Sequence, residues 1–305
     1  MTARAATKTL TIGSRGSALA LWQARNVAAR LQSFGVETRI EIIKTTGDHL
    51  QTAALVQAGG KGLFTKEIEE ALLDGAIDIA VHSLKDLPTE LPAGLSIAAI
   101  PEREDPRDAI PGQRLVELKP GACVGTSSGR RAAQLRRLRP DINVQPIRGN
   151  VDTRLRKLRE GQYDAIVLAA AGLRRLGLGE EIAEILSEEQ MYPAPGQGAL
   201  AVQTRERDEA REICAALDHE PSRQAVTCER AALSALGGGC QMPIGAFARI
   251  SEGVLRVIAM VISPDGKQML RGTAEGDADR PESIARVVAE RLLKQGAAEI
   301  LSATT

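Results

Sequence analysis

One figure occurs twice in the chain and limits its architecture more than any other feature. Leu73-Asp74-Gly75-Ala76-Ile77-Asp78-Ile79-Ala80-Val81 reads as a helix end, a glycine turn and a buried strand, and Arg159-Glu160-Gly161-Gln162-Tyr163-Asp164-Ala165-Ile166-Val167-Leu168 repeats it. A basic residue and a glycine, Lys61-Gly62 and Arg148-Gly149, precede each of the two helices, with the register slipped by about one position. In each half a strand also feeds a turn of serine and arginine, Ser14-Arg15 and Ser127 to Arg131. Two α/β lobes of related plan are expected. They would face each other across a cleft, because open α/β sheets bind ligands at the carboxyl ends of their strands.

The remaining periodicity fills in the plan. Thr9 to Ile12 reads as a strand, Ser17 as the N-cap of a helix running to Phe34 and closed by Gly35, and Val36 to Ile43 as a second strand. Thr45 to Gly60 has no firm period and is expected to be a loop acting as a lid before a helix over Thr65 to Leu73. Hinges are expected near Pro101 to Pro106 and Pro193 to Gly198. After Glu220 the pattern changes to a helix (Ser222 to Leu236), three alternating strands (Ala246 to Ile250, Leu255 to Ile262, Gln268 to Ala274) and an amphipathic helix from Arg280 to Gln295. The expected fold is α/β, with residues 1–103 and 198–219 as lobe one, 104–197 as lobe two, and 220–305 as a small α+β domain.

Composition excludes several classes of function. With 305 residues, 43% hydrophobic and 26% charged, the chain can bury more than one core. A formal net charge of zero and 2% aromatic content argue against coating nucleic acid, which needs a basic surface and rings for stacking. Cys123, Cys214, Cys228 and Cys240 form no C-x-x-C pair and only three histidines occur, so no metal site is expected. Met1 to Leu10 lacks an apolar core and no run is long enough to cross a bilayer, so a cytoplasmic protein without membrane partners is expected.

Four constellations carry chemistry. Gly125-Thr126-Ser127-Ser128-Gly129-Arg130-Arg131 places hydroxyls, backbone N–H groups and two guanidiniums at a strand-to-helix turn, which suits a carboxylate or phosphate. The Walker spacing is missing, and Arg136, Arg137 and Arg139 beyond it read as a solvated basic face. Arg148-Gly149-Asn150 with Arg154, and Arg174-Arg175, supply further charge at element ends; some of it is expected to pair structurally with Asp141, Asp152 or Glu160. His82-Ser83-Leu84-Lys85-Asp86-Leu87-Pro88 closes the buried strand of lobe one. Asp86 there is a candidate to stabilise a transient cation and move protons, with Lys85 beside it, against the alternative of a solvated turn; His82 reads as a satisfied core imidazole. Finally, Cys240 follows Gly237-Gly238-Gly239, and N–H groups of a glycine turn would favour its thiolate. None of His49, His82 and His219 lies in a partner motif for acyl transfer, so covalent attachment fits Cys240 better.

These residues resemble those of the porphobilinogen deaminase, or hydroxymethylbilane synthase, family. The likeness runs from Ile12 to Ala24 through Gly59 to Phe64, His82 to Pro88, Gly125 to Arg131, Arg148 to Val151, Tyr163 to Ile166, Ala171 to Leu173, Pro195-Gly196-Gln197-Gly198 and Gly238 to Gln241. The resemblance implies two periplasmic-binding-protein-like lobes plus a small α+β domain, acting as a monomer on the small molecule porphobilinogen. It implies a dipyrromethane cofactor held through a thioether at Cys240, and Asp86, with Lys85, as the catalytic group supporting deamination to a cationic azafulvene. Ser17, Lys85, Asp86, Thr126, Ser127, Ser128, Arg130, Arg131 and Gly149 would hold the cofactor, and Arg15, Arg148, Arg154, Arg175 and Gln197 the substrate. Departures are small: Gly129 stands where the family is often apolar, and Ala225 and Cys228 differ from common choices.

Two readings from other classes compete. A non-catalytic two-lobed receptor for a small polycarboxylate could use the same cleft, though it gives no reason for Gly237 to Cys240. Nucleic-acid binding through the basic stretch would show a steep salt dependence.

Overall fold

A computed structural model describes residues 9–46, 65–239 and 242–303. Most of the expected lid (Thr45 to Gly60), Lys61-Gly62, and Cys240 with Gln241 lie outside the described residues. The chain forms two compact units, residues 1–102 with 200–220, and residues 103–199 with 221–305. The fold is α/β, with a smaller α+β portion toward the C-terminus.

In the first unit, β1 (Leu10–Ser14) leads into α1 (Ala18–Ser33), β2 (Thr38–Ile42), α2 (Lys66–Leu73), β3 (Ile79–Ser83) and β4 (Leu95–Ala99). Strand β1 pairs in parallel with β2 and β3. On one sheet face Leu10, Ile12, Ile79 and Val81 meet Ala24, Val27 and Leu31 of α1, and on the other Ala80 meets Ile68 and Leu72 of α2. That alternation along β3 is the period-two signature of a strand covered on both faces.

The second unit contains β5 (Asp108–Pro111), β6 (Cys123–Gly125), α3 (Gly129–Leu138), β7 (Asn143–Gln145), α4 (Val151–Arg159), β8 (Ala165–Ile166), β9 (Leu168–Ala169), α5 (Ala170–Arg175) and β10 (Ile182–Ile185). Parallel strands order as β7-β6-β8, and a separate antiparallel trio as β10-β5-β9. The chain then returns to the first unit as β11 (Leu200–Arg205), antiparallel between β3 and β4, followed by α6 (Glu209–Ala215). Helix α7 (Glu220–Ala235) precedes the meander β12 (Ile244–Ser251), β13 (Val254–Ile262) and β14 (Met269–Asp277), and α8 (Pro281–Lys294) and α9 (Ala297–Ser302) end the chain. Leu233, Val257, Val261, Val288 and Leu292 share one core, each such burial contributing about 1.5–3 kcal/mol.

The repeated figure has the same bonds in both copies. Asp78 donates its N–H to the Thr11 carbonyl and accepts the Thr11 N–H on its carboxylate, both at 2.9 Å. Asp164 does the same with Cys123, at 2.9 and 2.6 Å. Gly75 and Gly161, each at φ +72°, turn the chain between helix and clasp, a left-handed conformation that favours glycine.

The basic face expected on α3 is exposed at Arg136 and Arg137, and its arginines also bond to neighbouring segments. Arg136 donates to the Pro264 carbonyl, Arg137 to those of Gly266 and Lys267, and Arg139 pairs with Asp141 at 2.7 Å. These arginines fasten the β13–β14 turn and a neighbouring loop instead of pointing only into solvent. Gly266 allows the approach, since a Cβ there would lie 2.6 Å from the Ala133 carbonyl oxygen.

Candidate functional site

In the first unit the candidate groups gather at the carboxyl ends of two adjacent parallel strands. Arg15 and Ser17 follow β1, and Lys85 and Asp86 lie in the short 3-10 turn after β3. The pairing of Ile12 with Ile79 and Gly13 with Ala80 brings these turns to one edge of the sheet. Ser17 caps α1, its Oγ accepting the Ala20 N–H at 3.3 Å, and Gln23 on that helix donates to Ser83 Oγ at 2.8 Å. This bond ties the α1 start to the residue opening the Lys85–Asp86 turn. Leu84 is buried beneath the turn while Asp86 is exposed. Such a turn leaves the carboxylate accessible while its backbone stays fixed by packing.

The second unit uses the same end of its parallel strands. Thr126, Ser127 and Ser128 follow β6; Ser127 Oγ donates to the Ile147 carbonyl at 2.7 Å, and Ser128 caps α3 by accepting the Arg131 N–H at 3.4 Å. After β7, Gly149 sits at φ +114°, where a Cβ would approach Thr153 Cγ2 to 2.5 Å, so glycine is required. Asn150 then caps α4 by accepting the Thr153 N–H at 2.9 Å, and Arg154 Nε donates to the Gly149 carbonyl at 2.8 Å. Arg148 and Arg154 are half-buried beside this helix start. Hydroxyls, helix N-termini and guanidiniums converge as an anion requires.

Not every candidate faces outward. Arg130 and Arg131 are buried and share Asp108, which is 0% exposed. Arg130 Nη2 meets Asp108 at 2.8 Å and its Nη1 the Tyr192 carbonyl, while Arg131 Nε and Nη2 meet Asp108 at 3.1 and 2.7 Å. Burial pushes the Arg130 guanidinium below its usual range, Asp108 opposes this, and the like charge of Arg131 adds to it. Gln197 is also fully buried, its amide donating to Asp108 at 2.8 Å and to the Pro106 carbonyl at 2.6 Å. The expectation that Gln197 meets substrate is therefore not supported by its placement; it braces the carboxylate that holds both arginines. Arg175 donates to the Gly198 carbonyl at 2.6 Å, and burial, opposed by Glu104, brings it down to about 10.

The sequence pattern had not singled out Asp108 or Glu229. Glu229, fully buried on α7, takes a two-point bond from Arg103 at 2.7 and 2.9 Å and the N–H groups of Gly196 and Ala248, each at 2.7 Å. An isolated acid on an apolar helix face was the available signal.

The glycines before Cys240 have local causes. Gly237 at φ +67° ends α7, and a Cβ on Gly238 would meet Ile244 Cδ1 at 2.5 Å and Leu233 Cδ1 at 2.7 Å. A left-handed backbone thus accounts for Gly237 and close packing for Gly238, and Gly239 has open space around it. Burial pushes the Cys214 and Cys228 thiols up to about 12, and raises that of Cys123, so these three are poor nucleophiles. Among the described residues no cluster of His, Cys, Asp and Glu could hold a metal ion, and no helix is long and apolar enough to cross a membrane.

Comparison with known proteins agrees with the resemblance. Residues 10–212 match the family description "Porphobilinogen deaminase, dipyromethane cofactor binding domain", and residues 223–294 match "Porphobilinogen deaminase, C-terminal domain". A porphobilinogen deaminase of Thermus thermophilus is 52% identical over 302 residues, covering 97% of this chain and 99% of that one. One of Thiobacillus denitrificans is 50% identical over 301 residues, covering 97% and 98%. With two family domains spanning most of its length and full-length relatives at such identity, the chain belongs to the porphobilinogen deaminase family.

Proposed function

We propose that the chain is a hydroxymethylbilane-forming transferase, condensing four porphobilinogen molecules into the linear tetrapyrrole with release of ammonia. The observation that carries this is the convergence of Arg15, Ser17, Lys85 and Asp86 at the ends of β1 and β3, in a chain of this family. Porphobilinogen brings an acetate and a propionate on each ring. Arg15, Arg148, Arg154 and Arg175 suit those carboxylates, because a guanidinium forms two-point bonds to them at any working pH. Asp86 is the group that stabilises the positive charge left when ammonia departs, and Lys85 next to it pairs with a carboxylate arm.

Dipyrromethane fits the donor set around β6 and β7. The Gly149 cradle, which a Cβ would fill, and the hydroxyls of Thr126, Ser127 and Ser128 at the α3 start suit a small polycarboxylate. When bound it supplies the free pyrrole carbon from which the chain is extended, with Cys240 as its attachment point. Thr126, Ser127, Ser128 and Gly149 hold its arms, while Arg130 and Arg131, fixed by Asp108, set the positive potential beneath them. The enzyme acts as a cytoplasmic monomer, with 104–197 and 220–305 as separate domains, and needs no nucleic acid or membrane. The receptor alternative is not favoured by family membership.

Intact mass spectrometry tests the assignment. Wild-type protein should carry an adduct of two condensed pyrroles that survives thiol reductants, since a thioether does not exchange as a disulfide does. Cys240→Ser should lack it, and Asp86→Asn should retain it yet lose nearly all turnover. A wild type of unmodified mass that gains nothing on exposure to porphobilinogen would contradict the proposal.

A further inference from the structure

Beneath the Lys85–Asp86 turn runs a chain of three buried polar side chains from three elements. Glu69 on α2, Gln203 on β11 and His82 on β3 are 6%, 0% and 6% exposed. Gln203 Nε2 donates to Glu69 Oε1 at 3.0 Å, and Gln203 Oε1 lies 2.9 Å from His82 Nε2. The sheet register produces this alignment: Ala201 pairs with His82 and Gln203 with Ala80, so Gln203 and His82 are diagonal neighbours on the face that α2 covers.

The order of bonds fixes each group. Glu69 Oε1 accepts from the Gln203 amide nitrogen, which commits that nitrogen and turns the amide oxygen toward the imidazole. That oxygen only accepts, so His82 carries its proton on Nε2. Burial, with the Gln203 bond opposing and the nearby positive charge of Arg15 adding, brings the imidazole down to about 4 and keeps it neutral at pH 7. An apolar trio would fill the same space without desolvating a carboxylate and an amide, so the polar chain calls for a reason beyond packing.

We propose that Glu69, Gln203 and His82 are positioning residues for the reaction assigned above, a single-tautomer relay that sets the register of the Ser83–Asp86 turn against Arg15. This rests on the proposed function. His82 immediately precedes Ser83, whose hydroxyl is already fixed by Gln23, so the turn is held from both sheet faces. Glu69→Gln preserves shape but lets both amides invert, which would present an N–H donor to His82 and move its proton to Nδ1. Gln203→Glu keeps an acceptor facing His82 Nε2, with one proton shared between the two carboxyl groups, and so keeps the tautomer.

The test uses 15N-histidine-labelled protein carrying its cofactor, in which only His49, His82 and His219 contribute imidazole signals. At pH 7 the wild type and Gln203→Glu should show a neutral Nε2–H imidazole for His82, and Glu69→Gln the Nδ1–H form. Turnover of porphobilinogen should follow the tautomer: kcat about tenfold or more lower in Glu69→Gln with KM within about twofold, and within about threefold of wild type in Gln203→Glu, as expected for displaced catalytic groups. A changed tautomer with undiminished kcat, or a kcat loss in Gln203→Glu despite the retained tautomer, overturns the relay. Failure of Glu69→Gln to fold leaves Gln203→Glu to decide. No porphobilinogen consumption by the wild type would instead overturn the function, a result the tautomer measurement separates from the relay.

Discussion

Asp108→Asn should be among the most damaging conservative substitutions in the second unit. The carboxylate accepts from Arg130 at 2.8 Å, from Arg131 at 2.7 and 3.1 Å and from Gln197 at 2.8 Å, all with buried partners. Asparagine keeps the volume but removes the charge and replaces one acceptor by a donor. Two guanidiniums would then lie side by side in the interior with no counter-charge, and breaking a buried pair in this way costs about 3–5 kcal/mol. In a cooperative unit of roughly 180 residues each kcal/mol lowers Tm by about 2–4 °C, so the expected fall is about 6–20 °C. Scanning calorimetry reads this directly, with Asp141→Asn, which removes the exposed partner of Arg139, as a control that should shift little. A fall below about 2 °C for Asp108→Asn would refute the idea that this carboxylate balances both arginines.

Two further outcomes follow from the geometry. Gly198→Ala should yield little folded protein, because Gly198 is at φ +86° and its Cβ would stand 2.2 Å from the Glu104 backbone oxygen; normal soluble yield and melting would contradict it. His82, depressed to about 4 when folded against 6.5 in an ordinary setting, lets the unfolded chain bind the extra proton between those values. Stability from this group is therefore complete above about pH 6.5 and declines toward pH 4, by on the order of 3 kcal/mol. Urea titrations of wild type and His82→Gln across that range should differ in slope, and parallel curves would exclude the neutral buried imidazole.

Local signals in the sequence reached the elements they act on. Ser17 and Gly35 bracket α1 as capping rules require, and the recurring Asp-containing turn marked the start of β3 and of β8. The turns after β1, β3, β6 and β7 were recognisable because they combine hydroxyls, glycine and arginine within a few positions. What escaped was long-range pairing. Nothing near Asp108 distinguishes it from Asp105 three positions earlier, and its partners Arg130, Arg131 and Gln197 are brought to it by the fold. The same holds for Glu229 and Arg103. Because those partners were invisible, Arg130 and Arg131 read as open anion ligands and Gln197 as a contact residue. A short strand such as β7, of three residues, is below what periodicity can reveal.

The paired clasps at Asp78 and Asp164 tie each sheet together at the amino ends of β3 and β8, opposite the ends where the candidate groups emerge. Rigidity and chemistry are thereby assigned to opposite rims of each scaffold. Side chains on the working rim can be exchanged at small cost to folding while the fastened rim stays constant, so each half can acquire new ligand preferences without renegotiating its own architecture.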